Sequence, residues 1–329
     1  MVLPVRNGEE TLAQAVGSCL GQTMSDLELL LVVNGCTDRS EDIAKGFARE
    51  DRRVTVLKSA RGLGVTGAME AGLQKVTTPL VARMDADDIA HPERLARQFE
   101  MLSRNPLLDA VSCGVQMIDS QGEGMNRYVE WVNGLGTPEA VARERFIECP
   151  IIQPSLLMRI GSVQRAGGYR QVDWAEDHDL FLRMLESGAQ FGKVSEVLLA
   201  WRDSEGRLTR SDPAYGEDRV WEMKAHYLAR LPSVKTQGVA ICGAGPIGKR
   251  LARLLTAQQV DVHGFFEVNV RKIGSTIGGV PVAGPDEFGT RWREAVLLSA
   301  VGVEGGRERV RELARSAGYA EGENFWCCC

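Results

Sequence analysis

The sequence lacks the long apolar runs from which membrane-spanning helices are built. Its densest apolar run, Leu29 to Val33, has the length of a strand, whereas a bilayer span needs roughly 18 apolar residues. The first residues, Met1 to Pro4, show no basic segment followed by an apolar stretch and a cleavage site, so no export signal is visible. We therefore expect no transmembrane helix, and residence in the cytoplasm.

An excess of positive charge is also missing. The chain has 39 Lys and Arg against 44 Asp and Glu, a formal net charge of -5, and both signs are interspersed along it. Proteins that bind the phosphate backbone of a nucleic acid present a basic surface. The charge balance therefore argues against nucleic acid as a partner.

Cysteines at the paired spacing of a zinc site are absent. Eight cysteines stand singly except for Cys327, Cys328 and Cys329, and no second ligand cluster accompanies this triplet. We expect reduced thiols and a frayed C-terminal end without a function.

The length of 329 residues favours two α/β domains, because single cores rarely grow beyond about 250 residues. In the N-terminal third, β-rich runs alternate with helical patterns, which predicts a parallel sheet. The predicted strands are Val2 to Val5, Leu27 to Val33, Val54 to Leu57, Leu80 to Ala82 and Leu108 to Cys113.

The middle of the chain favours a mixed arrangement. Val115 to Gly136, with Ser120-Gln121-Gly122 and Asn133-Gly134, has the composition of turns. A helix is predicted around Pro138 to Phe146, and an apolar strand at Ile151 to Met158.

A domain boundary is predicted after a helix that runs from about Tyr215 to Leu231. The following segment, Pro232 to Thr236, has the composition of a linker. We expect a first domain at 1–212, a helix and linker at 213–237, and a second, Rossmann-like α/β domain at 238–329.

An acidic cluster follows the strand that ends at Ala82. Asp85 and Asp87 alternate in an extended segment, so their carboxylates can converge at the carboxyl end of a strand, where open α/β sheets bind ligands. Hard oxygen ligands of this kind suit Mg²⁺ or Mn²⁺, and a diphosphate would complete the coordination. The alternative is a solvated cap for the next helix.

A second acidic pair, Glu176-Asp177, opens a helix with an apolar face. Acids in a first helical turn often do no more than favour the helix dipole. The functional alternative makes Asp177 a general base that takes the proton of an attacking hydroxyl.

A glycine-rich turn lies between a predicted strand, Gly238 to Cys242, and a helix. Gly243, Gly245 and Gly248 would allow a phosphate to approach the helix N-terminus, while Glu267, after the next strand, would hold ribose hydroxyls of NAD or another nucleotide. A structural turn that binds nothing remains the alternative.

Several segments occur together in one order and spacing: VLPVRNGEETL (2–12), LELLLVVNGCTDRS (27–40), GVTGAMEAGL (64–73), ARMDADDIAHPERLARQ (82–98), IIQPSLLMR (151–159), AGGYR (166–170) and AEDHDLFLRML (175–185). With them, residues 1 to about 210 resemble the family-2 glycosyltransferases of the GT-A fold. The C-terminal region resembles the Rossmann-like extensions attached to some sugar-modifying enzymes, with FFEVNVRKIGSTIGGVPV (265–282) in place of a more usual acidic strand end.

The resemblance implies an α/β protein with the GT-A nucleotide-diphospho-sugar transferase fold, a central mixed and mostly parallel sheet, followed by a small Rossmann-like domain. It also implies an enzyme that moves a sugar, with inversion, from a nucleotide-diphosphate donor to a hydroxyl of a glycan or lipid-linked acceptor, with Mg or Mn. A lipid-linked acceptor would bring the protein to the inner face of the membrane as a peripheral protein.

Site residues carried over by the resemblance lie mostly on the donor side. Pro4, Asn7, Glu10 and Asn34 would line the nucleotide pocket, Asp85 would approach the ribose or diphosphate, and Asp87, with Asp85, would hold the metal. On the acceptor side, Asp177 would be the base.

Some positions depart from the family's pattern. Val33 and Asn34 stand where many members have two consecutive acids, so the usual carboxylate contact to uracil is missing and the donor base stays open. Met69 and Glu70 replace an Arg and an Asn, which removes a cation for the diphosphate. Arg83 or Arg159 would compensate, although a plain surface charge is the favoured interpretation of both.

Met1 falls inside the first strand, where relatives usually have several more apolar residues, so the position of the true start stays open.

Two other functions are compatible with the same residues. One is an NAD-dependent sugar oxidoreductase that uses the second domain, and the other is a nucleotide-sugar-binding protein without catalysis. The sequence does not identify the sugar, the acceptor or the oligomeric state.

Overall fold

A computed structural model describes residues 1–60, 62–119, 122–203 and 208–329, the side chains of 208 and 209 excepted. The chain divides into two compact units. The N-terminal unit comprises Met1–Ala142 and Pro150–Asp212, and the C-terminal unit comprises Arg143–Cys149 and Pro213–Cys329. The finer division into 1–212, 213–237 and 238–329 stays a prediction.

The N-terminal unit contains the strands β1 (Val2–Val5), β2 (Leu29–Val33), β3 (Val54–Lys58), β4 (Leu80–Ala82), β5 (Ile89–Ala90), β6 (Ala110–Ile118), β7 (Leu157–Arg159) and β8 (Phe191–Arg202). Its helices are α1 (Leu12–Leu20), α2 (Ser40–Glu50), α3 (Gly64–Leu73), α4 (Arg94–Arg104), α5 (Glu123–Gly134), α6 (Pro138–Arg143), α7 (Ile160–Arg165), α8 (Glu176–Glu186) and α9 (Leu208–Ser211).

Two sheets form the centre of the N-terminal unit. β1, β2 and β3 pair in parallel, in that order, and the second sheet has the mixed order β4-β7-β6-β8-β5. A parallel bridge between Val2 and Arg83 connects the two sheets, since Arg83 directly follows β4. The helix α3 packs so closely on β1 that a Cβ at Gly72 would lie 2.4 Å from Val2 Cγ1. The predicted mixed α/β fold is confirmed.

The turn prediction for Val115 to Gly136 is wrong. The strand β6 continues to Ile118, and α5 fills most of the remainder, while Ser120 and Gln121 lie outside the described residues. Asn133, in the last turn of α5, contacts the sheet: its side-chain amide accepts from Val115 N at 3.0 Å and donates to Val115 O at 2.8 Å. A residue typical of turns therefore serves here as a partner for the backbone of a strand.

Two further element predictions are corrected where proline occurs. Ile151 to Met158 is not one strand, because Gln153–Ser155 forms a 3-10 turn around Pro154 and β7 begins only at Leu157. The predicted linker, Pro232 to Thr236, is helical. Proline suits the first turn of a helix, where its missing N–H needs no partner.

The C-terminal unit contains the helices α10 (Glu217–Arg230), α11 (Pro232–Gln237), α12 (Pro246–Ala257) and α13 (Gly306–Ser316). Its strands are β9 (Val239–Cys242), β10 (Val262–Phe266), β11 (Thr276–Ile277), β12 (Val280–Ala283), β13 (Val296–Ser299) and β14 (Phe325–Cys327). The strands β12, β10, β9, β13 and β14 pair in parallel in this order. The winding changes direction between β9 and β13, as in a Rossmann-like sheet.

The expectation of a frayed C-terminal end is wrong. β14 pairs with β13 through Phe325, Trp326 and Cys327, and Cys327 and Cys328 are buried. The apolar character of thiols explains why such residues can complete a core.

The short segment Arg143–Cys149 belongs to the C-terminal unit. The helix α6 ends at Arg143, so the predicted helix, Pro138 to Phe146, is too long at its end. Lys224 Nζ, which is buried, donates to Ile147 O at 2.7 Å and to Cys328 O at 2.9 Å. Arg311 pairs with the buried Glu144 at 2.7 Å. The C-terminal unit therefore includes a segment, Arg143–Cys149, that is separated in sequence from the rest of the unit, which begins at Pro213.

Candidate active site

The loop after β1 is tied to the loop after β2 by its predicted donor residue. Asn7, exposed and with φ +52, accepts hydrogen bonds at Oδ1 from Thr37 N at 2.9 Å and from Thr37 Oγ1 at 3.3 Å. Pro4 is half-buried in β1 and Glu10 is exposed. These predicted pocket residues therefore lie at and beyond the carboxyl end of β1.

Asn34 has a structural role that the sequence did not indicate. Its side chain is buried, donates to Gly64 O at 2.7 Å and accepts from Ser59 Oγ at 3.0 Å. Both ends of the amide are thus bound to the chain segment between β3 and α3. An amide can donate and accept at once, which a carboxylate at this position cannot do.

The acidic loop, Asp85–Asp88, lies between β4 and β5. Asp85 and Asp87 are half-buried, whereas Asp88 is buried. Arg202, at the end of β8, fixes the loop from one side: its Nε donates to Asp87 O at 2.9 Å and its backbone N donates to Asp88 Oδ1 at 2.9 Å. Thr11 Oγ1 donates to Ala86 O at 2.9 Å and joins the loop to the β1 side.

Arg83 is not the surface charge that the sequence favoured. It is 5 % exposed, and its Nε donates to Asp85 Oδ1 at 3.0 Å. Its other end donates to Tyr169 Oη at 3.3 Å and lies 3.9 Å from Glu176 Oε1. Although burial opposes the charge, these neighbours keep the pKa of Arg83 well above its ordinary value.

Arg159 is also structural rather than a free surface cation. Half-buried in β7, it donates from Nε to Leu108 O at 2.8 Å and from its other end to Leu102 O at 3.0 Å. Met69 is buried in the core, and Glu70 is half-buried on α3.

Asp177 lies in the first turn of α8, half-buried. Its Oδ1 accepts from His178 N at 2.7 Å, and its carbonyl oxygen accepts from Gln153 Nε2 at 3.2 Å. Burial raises the pKa of Asp177 above its ordinary value, and the charge of Arg83 opposes this in part. The Asp177 carboxyl is therefore tuned by the same arginine that binds Asp85.

The neighbouring acids of α8 have other partners. Asp179 is buried, accepts from Arg183 Nε at 2.8 Å and accepts from Trp174 Nε1 at 3.0 Å. Glu176 is buried beside Arg83. Of the three acids in this turn, Asp177 alone is half-buried rather than buried.

Two buried polar residues behind the acidic loop escaped the sequence analysis. Arg94, fully buried in α4, donates to Arg83 O at 2.9 Å and to Leu156 O at 3.3 Å. Gln98, one turn later, donates to Val111 O and to Ser155 O, each at 2.7 Å. The signal was present, because positions four apart lie on one helix face and Leu95 and Leu102 mark that face as the buried one.

A metal ion would need ligands beyond the protein. Within the described ranges, no three His, Cys, Asp or Glu side chains gather into a metal site. Asp85 and Asp87 nevertheless offer carboxylate oxygens on one short loop, a donor set that suits a divalent ion whose remaining positions are filled by a diphosphate and water. The residues present therefore fit the predicted ion.

The glycine turn of the C-terminal unit, Gly243–Gly248, has the geometry of a tight βα connection. Gly243 has φ +97, and a Cβ at Gly248 would lie 1.9 Å from Gly243 O, so both positions need glycine. A Cβ at Gly245 would meet no atom within 4 Å.

Glu267, the predicted ribose ligand, is engaged by its own unit. It accepts from Lys272 Nζ at 3.0 Å, from Val268 N at 2.9 Å and from Ala244 N at 3.3 Å. Burial alone would raise the pKa of Glu267, but the hydrogen bond from Lys272 holds this pKa below its ordinary value. Nucleotide binding at this turn stays a prediction.

No helix among the described residues is both long and apolar enough to cross a bilayer.

Two sequence comparisons relate the chain to known glycosyltransferases. A family model described as "Glycosyl transferase family 2" matches residues 1–164. The O-antigen biosynthesis glycosyltransferase WbnJ of Escherichia coli is 27% identical over 228 residues, which is 68% of this chain and 87% of that protein.

Solved structures show the fold. The crystal structure of S. aureus TarS 1-349 in complex with UDP-GlcNAc has a TM-score of 0.57 at 15% identity, covering 77% of this chain and 70% of that chain. The mannosyltransferase PcManGT from Pyrobaculum calidifontis, in complex with GDP-Man and Mn2+, has a TM-score of 0.51 at 17% identity and covers 78% and 67%. The chain therefore has a GT-A fold and belongs to glycosyl transferase family 2.

Proposed function

We propose that this glycosyltransferase moves a hexosyl group from a nucleotide-diphosphate sugar to a hydroxyl of a glycan or lipid-linked acceptor, with inversion at the anomeric carbon. One observation carries the proposal. The acidic loop and the first turn of α8 approach the same buried guanidinium, Arg83, which contacts Asp85 and Glu176. This juxtaposition supports a single site with a donor-side acid and an acceptor-side acid.

On the donor side, Asp87 and Asp85 would hold Mg²⁺ or Mn²⁺, which would neutralise the charge on the departing nucleotide diphosphate. Pro4, Asn7 and Glu10 would line the nucleotide pocket. Asn34 supports this pocket by fixing the segment between β3 and α3 rather than by offering a carboxylate to the base.

On the acceptor side, Asp177 would take the proton of the attacking hydroxyl. The acceptor oxygen bonds to the anomeric carbon, the bond from that carbon to the diphosphate oxygen breaks, and the proton passes to the Asp177 carboxylate. Attack from the face opposite the leaving group inverts the carbon.

The relatives favour this substrate class. WbnJ is described as an O-antigen biosynthesis enzyme, and the two solved neighbours hold UDP-GlcNAc, and GDP-Man with Mn2+. A glycan acceptor that is assembled on a lipid would bring the chain to the inner face of the membrane.

A donor panel tests the proposal. The protein is incubated with UDP- and GDP-sugars, Mn²⁺ and a glycan acceptor, and released nucleotide and product anomer are measured. We expect turnover with one donor, an inverted product, and loss of turnover in excess chelator or with Asp87→Asn. Asp42→Asn, on the exposed face of α2, is the matched control and should keep full activity. A retained product configuration, full activity of Asp87→Asn, or full wild-type activity in excess chelator would contradict the assignment.

A further inference from the structure

A continuous chain of hydrogen bonds runs between the donor-side acid and the candidate base. Arg83 donates to Asp85 Oδ1 at 3.0 Å and to Tyr169 Oη at 3.3 Å. Tyr169 Oη donates to Gln153 Oε1 at 3.0 Å, and Gln153 Nε2 donates to Asp177 O at 3.2 Å. Five residues from four separate segments of the chain are thereby linked.

The three middle members are shielded from water. Arg83, Gln153 and Tyr169 are 5 %, 3 % and 4 % exposed. A buried hydrogen bond holds its geometry well, because neither partner can exchange it for water, and a lost partner leaves an unsatisfied group. Asp85 and Asp177, at the two ends, are half-buried and therefore partly exposed to solvent.

The direction of each bond follows from the chemistry of its members. Arginine can only donate, and the amide of Gln153 accepts at one end and donates at the other. The phenol of Tyr169 must therefore accept from Arg83 and donate to Gln153. Burial raises the pKa of Tyr169 to about 12, so the phenol keeps the proton that it donates.

We propose that Tyr169 and Gln153 are positioning residues for the transfer reaction, which hold the first turn of α8, and with it Asp177, at a fixed place relative to Arg83 and Asp85. The inference rests on the proposed role of Asp177 as general base. Neither residue touches the substrate in this scheme. They act through the carbonyl oxygen of Asp177, which Gln153 holds, and through the guanidinium of Arg83.

Loss of this chain should affect the reaction with the acceptor more than donor binding. A general base that is displaced by a fraction of an ångström takes a proton less efficiently from a positioned sugar hydroxyl, whereas a small, mobile water molecule can follow it. Hydrolysis of the donor by water should therefore suffer less than transfer to the acceptor. The ratio of hydrolysis to transfer does not depend on how much of the protein is folded, so a merely structural role would leave it unchanged.

Tyr169→Phe removes the linking hydroxyl and keeps the ring. We expect kcat for transfer to fall about 10- to 100-fold, as for a misplaced catalytic group, with donor KM within about twofold of wild type and a higher ratio of hydrolysis to transfer. The matched control is Tyr319→Phe. Tyr319 is 6 % exposed and its hydroxyl has no hydrogen-bond partner among the described residues, so its loss should leave both quantities unchanged.

Gln153→Met provides an independent test should Tyr169→Phe fail to fold, and it should raise the same ratio. An unchanged ratio and kcat in a folded Tyr169→Phe or Gln153→Met protein would overturn the inference, as would an equal change in Tyr319→Phe. Asp177→Asn in the same assay distinguishes failure of the positioning role from failure of the general-base assignment. If it abolishes transfer while Tyr169→Phe does not reduce it, only the positioning role fails; if it keeps full kcat, the general-base assignment fails and the positioning role fails with it.

Discussion

The acidic loop and the glycine turn occupy equivalent places in two different sheets. Each follows a buried strand of its unit and precedes the next element at the carboxyl end of that strand, where α/β proteins bind ligands. The acidic loop and the glycine turn differ in the burial of the charged residues around them. Below the acidic loop lie the buried cations Arg83 and Arg94, whereas the charged residues at the glycine turn, Glu267 and Lys272, are partly exposed and paired with each other at 3.0 Å.

This difference indicates what each place is suited for. Arg83 contacts acids from two segments, Asp85 and Glu176, and both Asp85 and the neighbouring Asp177 are half-buried rather than buried. Glu267 instead accepts from Lys272 and from backbone amides of its own unit. A ligand at the glycine turn would have to displace or share these bonds. A position at a strand end is thus necessary but not sufficient for a site.

The largest expected contrast is catalytic, between Asp177 and Glu267. Asp177→Asn keeps the size of the side chain but cannot accept a proton, and positioned bases contribute about 10²- to 10⁴-fold, so kcat should fall within that range. Glu267→Gln should leave kcat unchanged, because Glu267 takes no part in transfer. Steady-state kinetics with donor titration measures both. An Asp177→Asn protein with normal kcat and a lower melting temperature would identify Asp177 as a helix-dipole acid only.

A second contrast concerns stability, between Arg83 and Lys272. Arg83→Met removes the cation that contacts Asp85 and the buried Glu176, and breaking a buried pair in this way costs about 3–5 kcal/mol. Lys272 is one third exposed, and a surface pair of this kind contributes about 0–1 kcal/mol, so Lys272→Met should change little.

Urea unfolding of the full chain, followed by circular dichroism, measures both free energies. Equal stability of the two variants would show that Glu176 and Asp85 do not depend on Arg83, and the contrast between the two places would then lose its energetic basis.

The sequence predicted what depends on local pattern. Strands at Val2–Val5, Leu80–Ala82 and Val239–Cys242 follow from short apolar runs, and the place of Asp85 at a strand end follows from the strand before it. Pattern also indicated the helix that carries Asp177. These features need information from only a few neighbouring residues.

The sequence did not predict what depends on distant partners. Arg83 can be buried because its guanidinium contacts Tyr169, 86 positions away, and Glu176. No local pattern distinguishes such an arginine from a solvated one. The segment Arg143–Cys149 belongs to the C-terminal unit for the same reason, since Lys224, Arg311 and Trp326 are its partners. Long-range pairing of polar groups is therefore where the sequence interpretation failed.

The smallest expected effects lie within the glycine turn, and they test whether that turn binds anything. Gly248→Ala would place a Cβ 1.9 Å from Gly243 O, and relief of such a clash requires backbone shifts that typically cost about 1–3 kcal/mol. Gly245→Ala would meet no atom within 4 Å, and Gly245 has φ -82, which alanine adopts freely, so its free energy of unfolding should stay within about 0.5 kcal/mol of wild type.

The same pair separates a nucleotide site from a structural turn. If a phosphate approaches the N-terminus of α12, the added methyl group of Gly245→Ala would obstruct it, because close approach to a phosphate is what this glycine permits. We therefore expect Gly245→Ala to weaken NAD or nucleotide binding, measured by calorimetry on the full chain, while stability and transferase kcat are unaffected. The donor pocket is first saturated, and binding of NAD or of a further nucleotide sugar is then measured. If neither binds under these conditions, the turn is structural. Gly248→Ala would then be the only one of the two variants with a measurable effect.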